Sequence, residues 1–209
     1  MTAIFGIISP HTIQKEFDNF PAGRTTGVSI AAIKCLLGLG LTINFYSKSC
    51  ATTITELEKL TGLSRPMVVK GLQHLQDYEL IEKDILARNK ATVYRLIFLE
   101  DKKFSKIPKK WLLSYLSLFP NRGIEALTAL KLYLVLLITR PNHLKEVEIS
   151  YNGLNRYHIN PKHLKKAIDL LIVSSLISVA RELNVKGDGS YYLNSNKYTI
   201  VGLQLTVEN

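Results

Sequence analysis

Between Leu63 and Tyr78, the residues Ser64, Arg65, Met67, Val69, Lys70, Gln73 and His74 alternate with an apolar series, Val68, Leu72 and Leu75, that recurs at helical spacing. On a helix the first set lies opposite the apolar stripe. An arginine and a lysine near a helix start can reach guanine O6 and N7 or a phosphate, a glutamine pairs with adenine, and a valine meets a thymine methyl. A second stretch places Lys162, His163, Lys165 and Lys166 within five positions and offers no amide to read a base, the pattern of phosphate gripping. Arg88, Asn89 and Lys90 form a polar tip between two strand-like runs. Lys102 and Lys103 open the cationic stretch KKFSKIPKK, a candidate phosphate-contacting arm.

Recognition is the expected chemistry because the ingredients of catalysis are not assembled. The five histidines, His11, His74, His143, His158 and His163, stand in no spacing that would orient a triad or a ligand set. Cys35 and Cys50 form no CxxC pair, and KGDGS reads as a turn and not as a phosphate-binding loop. We therefore expect no enzyme, no metal and no cofactor. No ligand-sensing unit is indicated, so a small-molecule ligand is not expected either.

Charge points to the partner. With 27 basic and 17 acidic residues the chain carries +10 and has a pI near 9.5, which favours an acidic partner, most commonly nucleic acid. Residues 1–99 carry 11 basic and 8 acidic residues, whereas 100–209 carry 16 and 9, so the second half is the more cationic. Two stretches are strongly apolar, VSIAAIKCLLGLGLTINF and ALTALKLYLVLLIT, but Lys34 and Lys131 interrupt them, and both read as buried helices and not as membrane spans. The first residues lack the basic start and apolar run of a signal peptide. A cytoplasmic, reduced, nucleoid-associated protein is expected.

The elements that must position these residues follow from caps and periodicity. Thr53 caps a short helix with Glu56 in its first turn, TGL breaks it, and Ser64 and Pro66 open the next, which ends near Tyr78. Strands are expected over Leu80–Asp84 and Thr92–Phe98, and a longer helix upstream. Helix, helix, turn, helix, hairpin is the order of a winged helix-turn-helix.

The same order recurs downstream. GIEALTALKLYLVLLITR is a long apolar helix, ISYNGLNRYH a short one, and INPKHLKKAIDLLIVSS a third, opened by Asn160 and Pro161. LISVARE and NKYTIVGLQL are the strands of a second hairpin. One shift of 96 residues carries Leu63 onto Ile159, Ser64 onto Asn160, Val68 onto Leu164, Leu72 onto Ile168 and Leu75 onto Leu171. The expected fold is mainly α with small β-wings: a first winged-helix domain with an N-terminal extension over 1–99, a basic linker over 100–110, and a second winged-helix domain over 111–209. Leu170, Leu171, Ile172 and Val173 make the third helix of the second unit apolar all round, a surface suited to packing against the first unit or a dimer partner.

LSRPMVVKGLQHLQDYELIEK resembles the recognition helix and first wing strand of bacterial winged-helix transcription regulators. The tandem arrangement is similar to the replication proteins of plasmids and phages that pair two winged helices. The resemblance implies double-stranded DNA as partner, with a role in replication initiation or transcription regulation. Tandem copies or a homodimer would supply two half-sites. Another class of tandem winged helices forms protein-interaction scaffolds of chromosome-segregation or replication complexes. A scaffold of that kind is expected to be neutral or acidic, which a charge of +10 opposes.

Overall fold

The computed structural model describes residues 5–84, 91–98, 103–180, 183–185, 191–193 and 196–203. The first half begins with strand β1 (Gly6–Ile8), helix α1 (Pro10–Lys15) and a 3-10 turn (Phe17–Asn19), and then enters the long helix α2 (Thr26–Thr42). Strand β2 (Ser49–Thr52), helices α3 (Ile54–Thr61) and α4 (Arg65–Asp77), and strands β3 (Ile81–Asp84) and β4 (Thr92–Leu96) complete it. The second half comprises β5 (Ser105–Ile107), α5 (Lys109–Tyr115), α6 (Ile124–Thr139), β6 (Glu146–Ile149), α7 (Tyr151–Asn155), α8 (Pro161–Val173), β7 (Ile177–Ala180), a hairpin of β8 (Leu183–Val185) and β9 (Tyr191–Leu193), and β10 (Asn196–Ile200). The chain is thus mainly helical with small antiparallel sheets. From β1 to β3 every strand and α-helix, though not the 3-10 turn, has a counterpart in the second half, at a shift of 99 residues for β1 that falls to 96 for β3.

Local chemistry explains the boundaries. Thr53 and Glu56 close a reciprocal capping box on α3: the Thr53 hydroxyl accepts from the Glu56 N–H at 3.1 Å and the Glu56 carboxylate accepts from the Thr53 N–H at 2.7 Å. These bonds, led by the Thr53 N–H, hold the Glu56 carboxyl below the ordinary range. Gly62 ends α3 in the left-handed region at φ +67, where a side chain would also strike the Ser117 carbonyl. Pro66 sits in the first turn of α4, where a missing N–H costs nothing. In both three-stranded sheets the last strand is central, in the orders β2-β4-β3 and β6-β10-β7. The outer strands β2 and β6 were not expected; each is only four residues long and lies at a sheet edge.

The two halves share one core. Strands β1 and β5 pair antiparallel, Gly6 with Ile107 and Ile8 with Ser105, and α2 packs against α6 beneath them. The stretch expected as a linker, 100–110, therefore contributes β5 and the start of α5. Its lysines masked the apolar positions that carry the strand, of which Ile107 is fully buried. Lys106 lies over the Phe5 ring at 4.9 Å, and Arg140 and Asn142 bond the backbone of 104–106, fastening β5 from its other side. Burial lowers the Arg140 guanidinium to a pKa of about 10, against an opposing pull from the neighbouring Tyr133.

The lysines that interrupt the long helices make reciprocal contacts, each reaching the Phe-Pro turn of the opposite half. Lys34 of α2 is fully buried and donates to the Phe119 carbonyl at 2.8 Å and the Asn121 side-chain oxygen at 2.6 Å, both in the second half. Lys131 of α6 donates to the Phe20 carbonyl of the first half at 3.5 Å. Phe20 and Phe119 occupy matching places, each followed by proline. Likewise Asn121 donates to the Gly62 carbonyl at 2.7 Å before α4, while Asp18 lies 3.7 Å from His158, the residue that corresponds to Gly62 before α8. The apolar residues Ile172 and Val173 are not covered by the first half, being 43% and 82% exposed.

Candidate nucleic-acid interface

Each half displays one 13-residue helix whose inner stripe is fixed on the long helix behind it. Val68, Gly71, Leu72 and Leu75 are the buried positions of α4; Leu164, Ala167, Ile168 and Leu171 are those of α8. Gly71 allows α4 to approach closely, since a Cβ there would lie 2.7 Å from the Ala31 backbone carbon of α2. The inner stripes thereby set which side chains point outward.

On α4, Ser64, Arg65, Val69, Lys70 and Gln73 are exposed. Ser64 makes no side-chain capping bond, Arg65 lies 3.7 Å from the Glu58 carboxylate of α3, and the Gln73 amide donates to Asp77 at 2.7 Å. Two expected members of the face are turned aside. Met67 is half-buried, with its methyl close to Gly27 of α2. His74 is half-buried between Phe20 and Tyr78, with a ring nitrogen 2.5 Å from the Asn19 carbonyl. They stand two turns apart on the flank of α4, where the N-terminal segment and the start of α2 cover it, a covering that helical periodicity does not reveal.

On α8, Asn160 caps the helix through the Lys162 N–H at 3.0 Å, and Lys162, Lys165 and Lys166 are exposed. His163 is only half-exposed. Glu125, in the first turn of α6, lies 3.7 Å from both His163 and Lys166. Its carboxyl is held below the ordinary range, first by its own backbone N–H and then by these cations. Among the described residues, the unpaired positive charge of the helix is thus concentrated at Lys162 and Lys165. Lys103 is exposed just ahead of β5; Arg88, Asn89, Lys90 and Lys102 lie outside the described residues.

Arg122 is an addition that sequence reasoning missed. It is exposed in the turn before α6, yet it borders the same surface groove as Ser64 and Met67 at the start of α4. An arginine contributed across the two halves carries no local signal. The Phe-Pro pair repeated at 20–21 and 119–120 was the available clue that these turns are equivalent and contact the opposite half.

Among the described residues, no group of three histidine, cysteine or acidic side chains could hold a metal ion, and no helix is long and apolar enough to cross a membrane. Cys35 is buried, which pushes its thiol up to about 12, and Cys50 is raised too by burial; neither is disposed as a nucleophile. No protein-family model matches the sequence, and no curated protein matches it.

Proposed function

We propose that the chain is a non-enzymatic double-stranded DNA-binding protein made of two winged helices, with α4 and α8 as its two groove-facing helices. The observation that carries this reading is the repetition itself. The order of strand, helices and antiparallel sheet occurs twice, and each copy presents a helix with a proline in its first turn and exposed cations, Arg65 and Lys70 in one and Lys162 and Lys165 in the other. The net charge of +10 supports the same partner and opposes a protein-interaction scaffold. Two reciprocal halves in one chain address two half-sites without a second copy. Within this reading the chain serves replication initiation or transcription regulation in the cytoplasm, close to the nucleoid.

The helices have different tasks. On α4 cations stand beside Val69 and Gln73, a mixture that can read base edges, whereas α8 presents cations almost alone and grips phosphate. Fluorescence anisotropy on a selected duplex and a scrambled one, at several salt concentrations, tests this. Arg65→Ala should cost on the order of 1–3 kcal/mol on the selected duplex and little on the scrambled one. Replacing Lys162 and Lys165 by alanine should weaken both alike and lower the salt slope by roughly one for each phosphate no longer neutralised. No binding at low salt, or affinity that does not change with salt, would refute the proposal.

A further inference from the structure

The two buried lysines are equivalent by position but not by company. Lys34 has two close oxygen acceptors, and the second, the Asn121 side chain, also donates to the Gly62 carbonyl, so one carboxamide bridges the lysine of one half and the α3–α4 turn. Among the described residues Lys131 has one hydrogen-bond acceptor, the Phe20 carbonyl at 3.5 Å, the outer limit of a hydrogen bond, together with the Phe17 ring face at 4.7 Å and the attraction of the Asp18 carboxylate. In the Phe-Pro turn of the first half the position matching Asn121 is Ala22. In place of the missing carboxamide is a cleft of about 340 Å³, walled by Phe20, Pro21 and Ala22 on one side and by His158, Ile159 and Asn160 on the other, with Lys131 lining it.

We propose that this cleft binds a small molecule whose polar edge carries an adjacent oxygen acceptor and N–H donor, as a primary carboxamide or a cyclic amide does. Lys131 meets the acceptor. The carbonyl of His158, the counterpart of Gly62, meets the donor, as the protein's own Asn121 does in the other half. Ile124, Leu127, Ile159 and Phe20 give the remainder of the ligand an apolar seat, and the volume falls in the range of small-ligand sites, well above that of a carboxamide alone. Asp18, whose carboxylate lies 3.7 Å from the His158 ring, is the charged group at the cleft besides Lys131. A carboxylate ligand would face Asp18, so a neutral amide is favoured over an anion.

The experiment uses the full chain and three probes: benzamide, uracil as the cyclic amide, and toluene as the apolar control. Backbone amide shifts of Ala22, Thr128 and Ile159 are followed during titration by NMR. Saturable shifts are expected with benzamide or uracil, with affinity at least about tenfold weaker in Lys131→Met, the factor that corresponds to the loss of one hydrogen bond. Ala22→Asn restores the missing carboxamide from within the chain; it should abolish the titration and raise the melting temperature by roughly 2–4 °C. Absence of saturable shifts with both amides, equal binding of toluene, or unchanged affinity in either variant would overturn the proposal.

Discussion

An ammonium taken out of water costs several kcal/mol unless oxygen acceptors surround it. Lys34 shows both sides of that balance. Its two acceptors at 2.8 and 2.6 Å keep it charged at neutral pH, while burial, opposed only weakly by the nearby Cys35, still lowers its pKa from 10.5 to about 8. The unfolded chain then holds more protons than the folded chain between pH 8 and 10.5. Stability contributed by this group must therefore rise with pH across that window. Measured against Lys34→Met by urea unfolding at about pH 7.5, 9 and 10.5, the native protein should gain on the order of 3 kcal/mol relative to the variant as pH rises. Burial raises the Cys35 thiol to about 12, and loss of the Lys34 charge would raise it further, so it stays protonated in both folded proteins across this window and the difference reports the lysine. A difference that stays constant with pH would show that Lys34 is not desolvated in solution. The sequence placed Lys34 and Lys131 inside apolar helices but could not show that each reaches across to the other half, because their acceptors are backbone carbonyls 85 and 111 residues away.

At the scale of elements, legibility followed local chemistry. Helices α3 and α4 were readable because their signals are local: a capping box, a left-handed glycine and a proline in the first turn. Strands β2, β5 and β6 were not, since three- and four-residue strands are set by their partners more than by their own residues. On the candidate interface the outward residues Arg65, Val69 and Lys70 followed from the helical period. Met67 and His74 did not, because tertiary contacts cover their flank. The close crossing of α4 on α2 depends on Gly71, whose neighbours on α2 are the backbone atoms of Ala31 and Ala32 and cannot move aside. Gly71→Ala should improve helix propensity by about 1 kcal/mol, yet cost about 1–3 kcal/mol through overpacking. On the proposed reading, displacing α4 outward should also weaken duplex binding. Chemical denaturation and anisotropy together check this, and a variant more stable than the parent would mean that the two helices stand farther apart than the 2.7 Å approach implies.

For the whole molecule, the decisive feature is that β1 with β5 and α2 with α6 join the halves through a common core, so α4 and α8 are not two tethered domains free to choose their separation. A flexible pair would tolerate varied spacing at a modest entropic cost, whereas a rigid pair accepts only spacings that present both grooves on one side of the duplex. The antiparallel strand pairing and reciprocal lysine contacts would, on the proposed reading, bring the two helices to their half-sites in opposite directions, with unlike side chains on each. On the proposed reading, one chain should bind one duplex, and the selected site should consist of two oppositely oriented, non-identical halves. Inserting about 5 base pairs, half a helical turn, between those halves should reduce affinity to that of a single half-site, and inserting about 10, which restores the face but adds roughly 34 Å of separation, should leave it there. Analytical ultracentrifugation of the complex gives the stoichiometry, and anisotropy on the spaced duplexes gives the register. Two chains per duplex, or affinity indifferent to a half-turn insertion, would place the second half-site on a partner copy, for which the exposed Ile172 and Val173 would be the surface to substitute first.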